Sequence, residues 1–198
     1  MRKMLYPCLA AFVALTLGGC AHPINMKPEA DKMDAKPASV QTIDKKVAYY
    51  IPETRMGLET TSPGGGGDLI KYTPYRDIEP GLYKVLTDTF KDVSKSKGPR
   101  LSDEQKKDGF TLMMQPDVST SSSSESIFTW PPTKFTVTLS CNFYDDQNTL
   151  VKKIEVTGSG QAEFDEFKKN LSLAANRAST DALNKLQEAV GKSSELRQ

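Results

Sequence analysis

Apolar and polar residues alternate most strictly between residues 134 and 143. Every second residue there is apolar or a cysteine, and the positions between them carry Lys, Thr, Ser and Asn. A period of two predicts a strand with one buried side and one side facing solvent. The buried side holds Phe135, Val137, Leu139, Cys141 and Phe143.

A second strand is predicted directly after this one. The polar stretch 145–148 favours a turn, and residues 151–160 then carry Ile154 and Val156 on one side. Two such strands joined by a short polar turn predict an antiparallel hairpin. Because Cys141 lies on the buried side of the hairpin, we expect a small, unreactive core residue there.

Two further strands are predicted nearer the N-terminus. The apolar and β-favouring run 47–51 ends at Pro52. Phe110, Leu112 and Met114 then take alternate positions within residues 109–119. Pro116 cannot donate a ladder hydrogen bond, so it predicts a sheet edge or a bulge at that point.

Apolar residues recur at helical spacing in two segments. The first helix is predicted to begin at Pro80, to run to about residue 95 and to stop at Gly98. The second runs from about residue 168 to Val190, with Gly191 as its C-cap. Small residues let this second helix lie close to a sheet, and its predicted buried stripe comprises Leu171, Ala174, Ala175, Ala178, Ala182, Leu186, Ala189 and Val190.

Two long loops interrupt this pattern. Residues 52–77 include four glycines at 64–67, but a phosphate loop needs Gly-Lys-Ser/Thr, and Asp68 would repel a phosphate. A flexible loop is therefore favoured over a ligand-contacting one. Residues 119–132 begin with a serine run and end in the apolar cluster Ile127, Phe128 and Trp130. That cluster is either a candidate partner contact or an apolar cover over the sheet edge.

The N-terminus has the pattern of an export signal. Two basic residues precede an apolar run at positions 5–17, which at about thirteen residues is too short to span a bilayer. The run ends in Leu17, Gly18, Gly19 and Cys20. These four residues resemble the lipobox of bacterial lipoproteins. The resemblance implies cleavage before Cys20, attachment of diacylglycerol to its thiol and acylation of the new amino group.

A lipidated cysteine would anchor the protein to a membrane. Each buried methylene contributes about 0.8 kcal/mol, so a multiply acylated residue holds a protein in place without a spanning segment. By the same resemblance, Ala21 in place of Asp implies the outer membrane of a Gram-negative cell, with the domain facing the periplasm. The alternative is a secreted soluble protein whose signal ends near a cysteine.

The chain is predicted to divide into four parts. Residues 1–19 are a signal peptide that is removed. Residues 20–42 hold the lipidated cysteine and scattered prolines and charges, which are typical of a disordered tether. Residues 43–192 form the folded domain, and residues 193–198 form a frayed tail.

Composition narrows the functions open to the domain. The 26 basic and 25 acidic residues nearly balance, which disfavours a nucleic-acid partner. With Cys8 in the signal and Cys20 lipidated, Cys141 has no partner for an internal disulfide. His22 is the single histidine and lies in the predicted tether, so the domain lacks the commonest general base. We therefore expect no catalytic residue, no metal and no cofactor.

The predicted order of elements is strand, helix, three strands and helix. This order favours an α+β fold, as a two-layer sandwich of a four-stranded mixed sheet with two helices on one face (βαβββα). Together with the lipobox, the outline is similar to small outer-membrane accessory lipoproteins of the YajG type and to LptE-like lipoproteins. The resemblance implies a non-enzymatic accessory or scaffold protein with an envelope protein as partner.

Two other functions stay open. A periplasmic ligand binder would hold lipid, glycan or peptide on the open sheet face or under the glycine loop, and Tyr49, Tyr50, Tyr72 and Tyr75 could line that site. A wall or lipid hydrolase is the less favoured alternative. The adjacent carboxylates at 145–146 and 165–166 are more simply explained as solvated charge.

Overall fold

The computed structural model describes residues 21–33, 42–63, 69–124 and 134–198. The lipobox residues 17–20 and the apolar cluster Ile127, Phe128 and Trp130 lie outside the described residues. Within these ranges the fold belongs to the predicted α+β class. It has two mixed sheets, of three and five strands, and five α-helices, so the predicted count of four strands and two helices is wrong.

Eight strands form the two sheets. Their bounds are Ala21–Pro23 (β1), Ile43–Tyr49 (β2), Thr60–Pro63 (β3), Leu69–Tyr72 (β4), Phe90–Lys95 (β5), Phe110–Ser123 (β6), Lys134–Tyr144 (β7) and Leu150–Gln161 (β8). The larger sheet has the order β5-β2-β6-β7-β8, and the smaller one has the order β1-β4-β3. In the larger sheet β2 pairs in parallel with β5 and β6, whereas β7 is antiparallel to both β6 and β8.

Two long helices and three short ones accompany the sheets. Their bounds are Glu53–Met56 (α1), Pro74–Thr89 (α2), Asp103–Lys107 (α3), Phe164–Phe167 (α4) and Leu173–Lys192 (α5). The long helices α2 and α5 contact each other, and α5 also covers β7 and β8. Their buried residues join the inward side chains of the larger sheet in one main core.

Helix α2 begins and ends earlier than the sequence predicts. It starts at Pro74, and Pro80 lies inside it. A proline at that position leaves the carbonyl of Arg76 without its helical donor. Arg76 and Pro80 are both exposed, so that carbonyl lies on the solvent side. At the other end the Thr89 hydroxyl donates to the carbonyl oxygen of Val85 (2.8 Å), and the chain then passes into β5.

Residues 90–95 form a strand where the sequence predicts the last turns of that helix. Phe90 is buried and pairs with Ile43, and Val93 pairs with Val47. A separation of three residues between two apolar side chains fits a helix as well as an irregular edge strand. Periodicity could not distinguish the two, and the pairing with β2 decides in favour of the strand.

Much of the predicted loop 52–77 is regular structure, comprising α1, β3, β4 and the start of α2. The Ser62 hydroxyl lies 2.9 Å from that of Ser122, and the Tyr72 hydroxyl lies 2.7 Å from that of Thr120. The Tyr72 ring also packs edge-on against Phe135, with 5.4 Å between ring centres. These contacts join the smaller sheet to β6. The glycines at 64–67 lie outside the described residues.

Strand β6 continues through the serine run to Ser123, where the sequence predicts a loop. Ser123 pairs with Lys134 of β7. Pairing with β7 therefore holds the serine run in a strand, although its low-complexity sequence predicts a loop. Pro116 lies just beyond the last β2 pair, Tyr49 with Met114. The expected edge position of this proline is therefore confirmed on the β2 side.

Helix α5 lies close against β8, as its alanine content predicts. A methyl group placed on Gly160 would lie 2.0 Å from the carbonyl oxygen of Ala174. A methyl group on Gly158 would lie 2.2 Å from the amide nitrogen of Ala182. Glycines on the strand and alanines on the helix therefore set the spacing of the two layers together.

The ends of α5 differ from the prediction. The sequence predicts Leu171 in the buried stripe, but this residue precedes the helix and is 37% exposed. Gly191 lies inside the helix, whose C-cap is Ser193. On the surface of the helix, Asp181 and Lys185 lie four residues apart and form an ion pair at 2.8 Å.

Residues 21–33 pack on the domain, where the sequence predicts part of a disordered tether. Strand β1 pairs with β4, with Ala21 opposite Leu69. The amide of Met26 donates to the carboxylate of Asp77 (3.0 Å). Pattern analysis missed the segment because its buried apolar residues follow no regular period: Ile24, Met26 and Met33.

The C-terminal residues are also part of the domain, so the predicted frayed tail is wrong. Residues Glu195–Arg197 form a 3-10 turn, and Leu196 is fully buried. The Glu195 carboxylate pairs with the Lys152 ammonium at 2.6 Å. One buried leucine docks this short end, and a single residue has no period that a sequence pattern could reveal.

Candidate functional site

The larger sheet presents a polar face on the side away from α2 and α5. Along β7 the buried apolar residues alternate with half-buried polar ones, and strand pairing aligns these with polar residues of β6 and β8. The rungs are Ser121-Thr136-Ser159, Ser119-Thr138-Thr157, Asp117-Ser140-Glu155 and Gln115-Asn142-Lys153. The face therefore changes along its length from hydroxyl side chains to charged and amide side chains.

One end of this face is covered by apolar side chains. Leu101, next to α3, packs with Ala48, Phe110 and Met113 in a second small core. Tyr50 lies against this cluster and is only partly buried. The predicted open face is therefore restricted to the middle of the sheet and its hydroxyl-rich end.

A groove of about 490 Å³ lies between the open face and the start of α1. Its floor comes from β6, β7 and β8, and one wall comes from the segment that leads from β2 into α1. The lining mixes aromatic, amide, hydroxyl and charged side chains: Tyr50, Pro52, Arg55, Gln115, Pro116, Asp117, Ser140, Asn142 and Lys153. A groove of this size and polarity suits a sugar or a short peptide better than an acyl chain.

Arg55 and Asp117 form a charged pair at the edge of the groove. The Arg55 guanidinium also donates to the Tyr75 hydroxyl (2.5 Å), which donates to the Asp117 carboxylate (2.9 Å) and accepts from the Val118 amide (3.1 Å). The hydrogen bond to Asp117 raises the pKa of Arg55, and burial raises the pKa of Tyr75. Arg55 therefore stays cationic and Tyr75 stays neutral at pH 7, so the network fixes the groove wall.

Of the four tyrosines proposed from the sequence, Tyr50 alone lines this groove. Tyr49 is buried and donates its hydroxyl to Glu79 (3.1 Å), and burial raises its pKa. Tyr72 and Tyr75 are buried and connect the smaller sheet and α2 to β6. Both therefore have a structural role and do not line the groove.

Sequence reasoning missed most of the polar groups that line the groove. Ser140 and Asn142 occupy the solvent side of the predicted β7 strand, so their period of two was a usable signal. Arg55 and Asp117 lie 62 residues apart along the chain, and only the packing of α1 beside β6 brings them together.

Other candidate residues have structural roles. The Asp145 carboxylate accepts from the Thr149 amide (2.7 Å) and closes the turn between β7 and β8. Glu166 pairs with Arg177 (2.8 Å), and these hydrogen bonds lower the pKa of Glu166 to about 2. Cys141 is fully buried, which confirms the expected core position, and this burial raises the pKa of its thiol to about 12.

His22 lies in β1, opposite Ile70, and is therefore not part of a linker. Within the four described ranges, no group of His, Cys, Asp and Glu side chains is arranged to hold a metal ion. None of the described helices is both long enough and apolar enough to cross a membrane.

Comparison with known proteins gives structural neighbours only. No protein-family profile and no curated protein sequence matches this chain. A DUF330-family protein of Xanthomonas campestris is 12% identical over 87% of this chain and 93% of its own, with a TM-score of 0.49. A candidate neuraminyllactose-binding hemagglutinin homolog of Helicobacter pylori is 14% identical over 86% and 92%, with a TM-score of 0.45. A minor lipoprotein of Acinetobacter baumannii is 10% identical over 75% and 90%, with a TM-score of 0.40.

Proposed function

We propose that this chain is a lipid-anchored accessory protein of the bacterial envelope that is held by an acylated Cys20 and acts without catalysis. The observation that carries the proposal is the sequence Leu17-Gly18-Gly19-Cys20 at the end of a short apolar run. With Ala21 after the cysteine, the outer membrane is the favoured location, and the domain would face the periplasm.

The fold is compatible with cleavage before Cys20. The first described strand, β1, begins at Ala21 and pairs with β4. Cleavage before Cys20 would therefore keep every residue that is named in the described strands and in the two described cores. An acylated cysteine at the new N-terminus supplies stable attachment because two or more acyl chains bind a bilayer far more tightly than one.

A role in binding is favoured by the chemistry of the exposed face. Its charged pair at Arg55 and Asp117 is held by hydrogen bonds, and the thiol of Cys141 lies in the core. A mixed polar face with partly exposed tyrosines, Tyr50 and Tyr144, is typical of recognition surfaces. An envelope protein is the partner expected for an accessory lipoprotein of this kind.

Replacing the anchoring thiol tests the proposal. We expect the full-length chain, expressed in a Gram-negative host, to sediment with membranes and a Cys20→Ser chain to remain in the soluble periplasmic fraction. Serine keeps the size of the residue but cannot form the thioether. Cys141→Ser is the matched control and should stay with the membranes. Equal sedimentation of the Cys20→Ser and full-length chains would contradict the anchor.

The groove favours a second candidate function, the binding of a polar envelope ligand such as a glycan or a short peptide. Amide and hydroxyl groups of Gln115, Ser140 and Asn142 lie on its floor, and Tyr50 offers a ring on which a sugar can stack. Such an arrangement of an aromatic face with convergent hydrogen-bonding groups is typical of small-ligand sites.

Calorimetric titration of the Cys20→Ser chain with soluble wall glycopeptides tests this second function. We expect Asn142→Ala to weaken binding about tenfold, because one hydrogen bond contributes about 1 kcal/mol and an unpaired ligand group adds to the loss. Thr136→Ala, on the same face of β7 but outside the groove, should bind as the parent does. Equal losses of affinity in the Asn142→Ala and Thr136→Ala chains would contradict this function. The absence of any heat of binding with every glycopeptide would also contradict it.

A further inference from the structure

We infer that the domain rests directly on the bilayer through one end, where Phe164 and Leu171 enter the lipid interface. The inference rests on the proposed lipidation of Cys20 and deepens it by naming the surface that meets the membrane. In this orientation the domain contacts the membrane directly and is not separated from it by the flexible tether that the sequence predicts.

The described fold begins at Ala21, directly after Cys20, so no spacer separates it from the proposed lipid. Ala21 is bonded to Cys20, and consecutive Cα atoms are about 3.8 Å apart. Ala21 is itself paired with Leu69 in the smaller sheet. Beyond β1, the amide of Asn25 donates to the hydroxyl of Ser172 (3.0 Å). A lipid on Cys20 would therefore be held against the surface of the domain.

Ala21 lies at one end of the smaller sheet, opposite the first residue of β4. Its neighbour Leu69 pairs with Pro63, at the end of the β3–β4 hairpin. The hydroxyl of Ser62, one residue earlier, contacts that of Ser122 near the end of β6. The lipid would therefore leave the domain at the end of the larger sheet where β6 stops and β7 begins.

The junction between β8 and α5 lies at the same end. The last rung of β7 and β8 joins Lys134 to Gln161, and α4 follows directly. Helix α5 then runs back along β8, since Gly160 faces Ala174 near the start of the helix. The hydrogen bond from Asn25 to Ser172 ties this junction to the N-terminal segment.

Two large apolar side chains are exposed at this junction. Phe164 is 58% exposed, and Leu171 is 37% exposed. The Phe164 ring packs edge-on against the buried Phe167, with 5.1 Å between ring centres, and Lys168 Nζ lies 4.6 Å from the centre of the Phe164 ring. An exposed aromatic ring beside the long stem of a lysine is typical of protein surfaces at a membrane interface.

Polar contacts fix the orientation of the segment that carries Phe164 and Leu171. Arg177 of α5 donates to the carboxylate of Glu166 (2.8 Å) and to the carbonyl oxygen of Gln161 (2.6 Å). These bonds hold α4 against the start of α5. Phe164 and Leu171 therefore lie on a segment that these hydrogen bonds hold in place.

The charges around the pair are nearly balanced. Lys168 forms an ion pair with Asp165 at 2.8 Å, and the exposed Lys169 is offset by the exposed carboxylate of Glu163. Attraction to anionic lipid headgroups would therefore be weak. We expect the contact to be apolar and to persist on zwitterionic lipid and at high salt.

The opposite end of the domain provides an internal reference. Strand β7 spans 11 residues, so the β7–β8 turn lies about 33 Å from Lys134 along the strand. Gln147 in that turn is exposed. A probe there should lie well away from the membrane in the inferred orientation.

Lipid quenching of site-specific probes tests the orientation. The full lipidated chain would carry a fluorescent probe on Lys169→Cys or on Gln147→Cys in phosphatidylcholine vesicles with a nitroxide-labelled lipid. The buried Cys141 and the acylated Cys20 would not take up the label. We expect the probe at Lys169→Cys to lose most of its emission and the probe at Gln147→Cys to keep it, at both low and high salt.

A Phe164→Ser, Leu171→Ser chain carrying the same probe at Lys169→Cys should recover most of the lost emission. Equal quenching at both ends, or no quenching at Lys169→Cys in a lipidated chain, would overturn the inference. Quenching that the double serine variant leaves unchanged would also overturn it. The mass of the same sample reports the lipid on Cys20, so a missing lipid is distinguished from a wrong orientation.

Discussion

Gly160→Ala should destabilise the folded protein by about 3 kcal/mol, and Gly158→Ala should have an effect of similar size. The methyl group added at Gly160 would lie 2.0 Å from the carbonyl oxygen of Ala174 and 2.5 Å from the amide nitrogen of Ala178. Both are backbone atoms of α5, so no change of side-chain rotamer relieves the overlap. Either the helix or β8 must move, and the main core between them opens.

Urea unfolding followed by circular dichroism measures this effect. Gly98→Ala is the matched control, because no atom lies within 4 Å of the methyl group that it adds. We expect that control to unfold within about 0.5 kcal/mol of the parent chain. A Gly160→Ala chain with the unfolding midpoint of the parent would mean that α5 does not pack closely on β8 at Gly160.

Met26→Ala should cost about 3 kcal/mol of unfolding free energy, although the residue lies in a segment with the composition of a linker. The side chain is fully buried and belongs to the main core. Its truncation leaves a cavity beside α2, where the Met26 amide is held by the Asp77 carboxylate at 3.0 Å. A methionine in a disordered tether would contribute nothing.

The neighbouring Lys27→Ala provides the comparison, since Lys27 is exposed. Its unfolding free energy should stay within about 0.5 kcal/mol of the parent. Amide hydrogen exchange gives a second readout, in which the Met26 amide is protected in the parent chain and exchanges faster in the Met26→Ala chain. Equal stability of the two variants would restore the tether interpretation for residues 21–33.

The parts of the fold that the sequence predicts well are those with a long, uninterrupted period. Strand β7 alternates strictly, and its buried side holds Phe135, Val137, Leu139, Cys141 and Phe143 as predicted. The stripe of α5 is equally clear because Ala174, Ala178 and Ala182 recur every four residues over three successive turns. Local propensity and tertiary packing agree in both elements.

The errors fall where a few buried residues decide the structure without a period. Met26 and Leu196 each dock a short segment on the core, although the composition of these segments predicts a tether and a tail. Phe90 and Val93 fitted a helical stripe until pairing with β2 placed them in an edge strand. Tertiary contacts outweigh local pattern in such short segments.

The residues of the candidate groove also divide into those that a sequence period predicts and those that it does not. Ser140 and Asn142 could be placed on the open face from the β7 pattern alone. Arg55 was not predictable, because its partner Asp117 is distant in sequence and α1 lay within a predicted loop. A groove formed by packing one segment against another leaves no periodic signal in either segment.

The central claim is that Cys20 carries the lipid that holds this protein in the envelope. Mass spectrometry of the N-terminal peptide, from protein purified out of the membrane fraction, tests that claim most directly. The account predicts a peptide that begins at Cys20 and carries the added mass of a diacylglycerol and an amide-linked acyl chain. A mature N-terminus at any other residue, or an unmodified Cys20 thiol in membrane-bound protein, would contradict it.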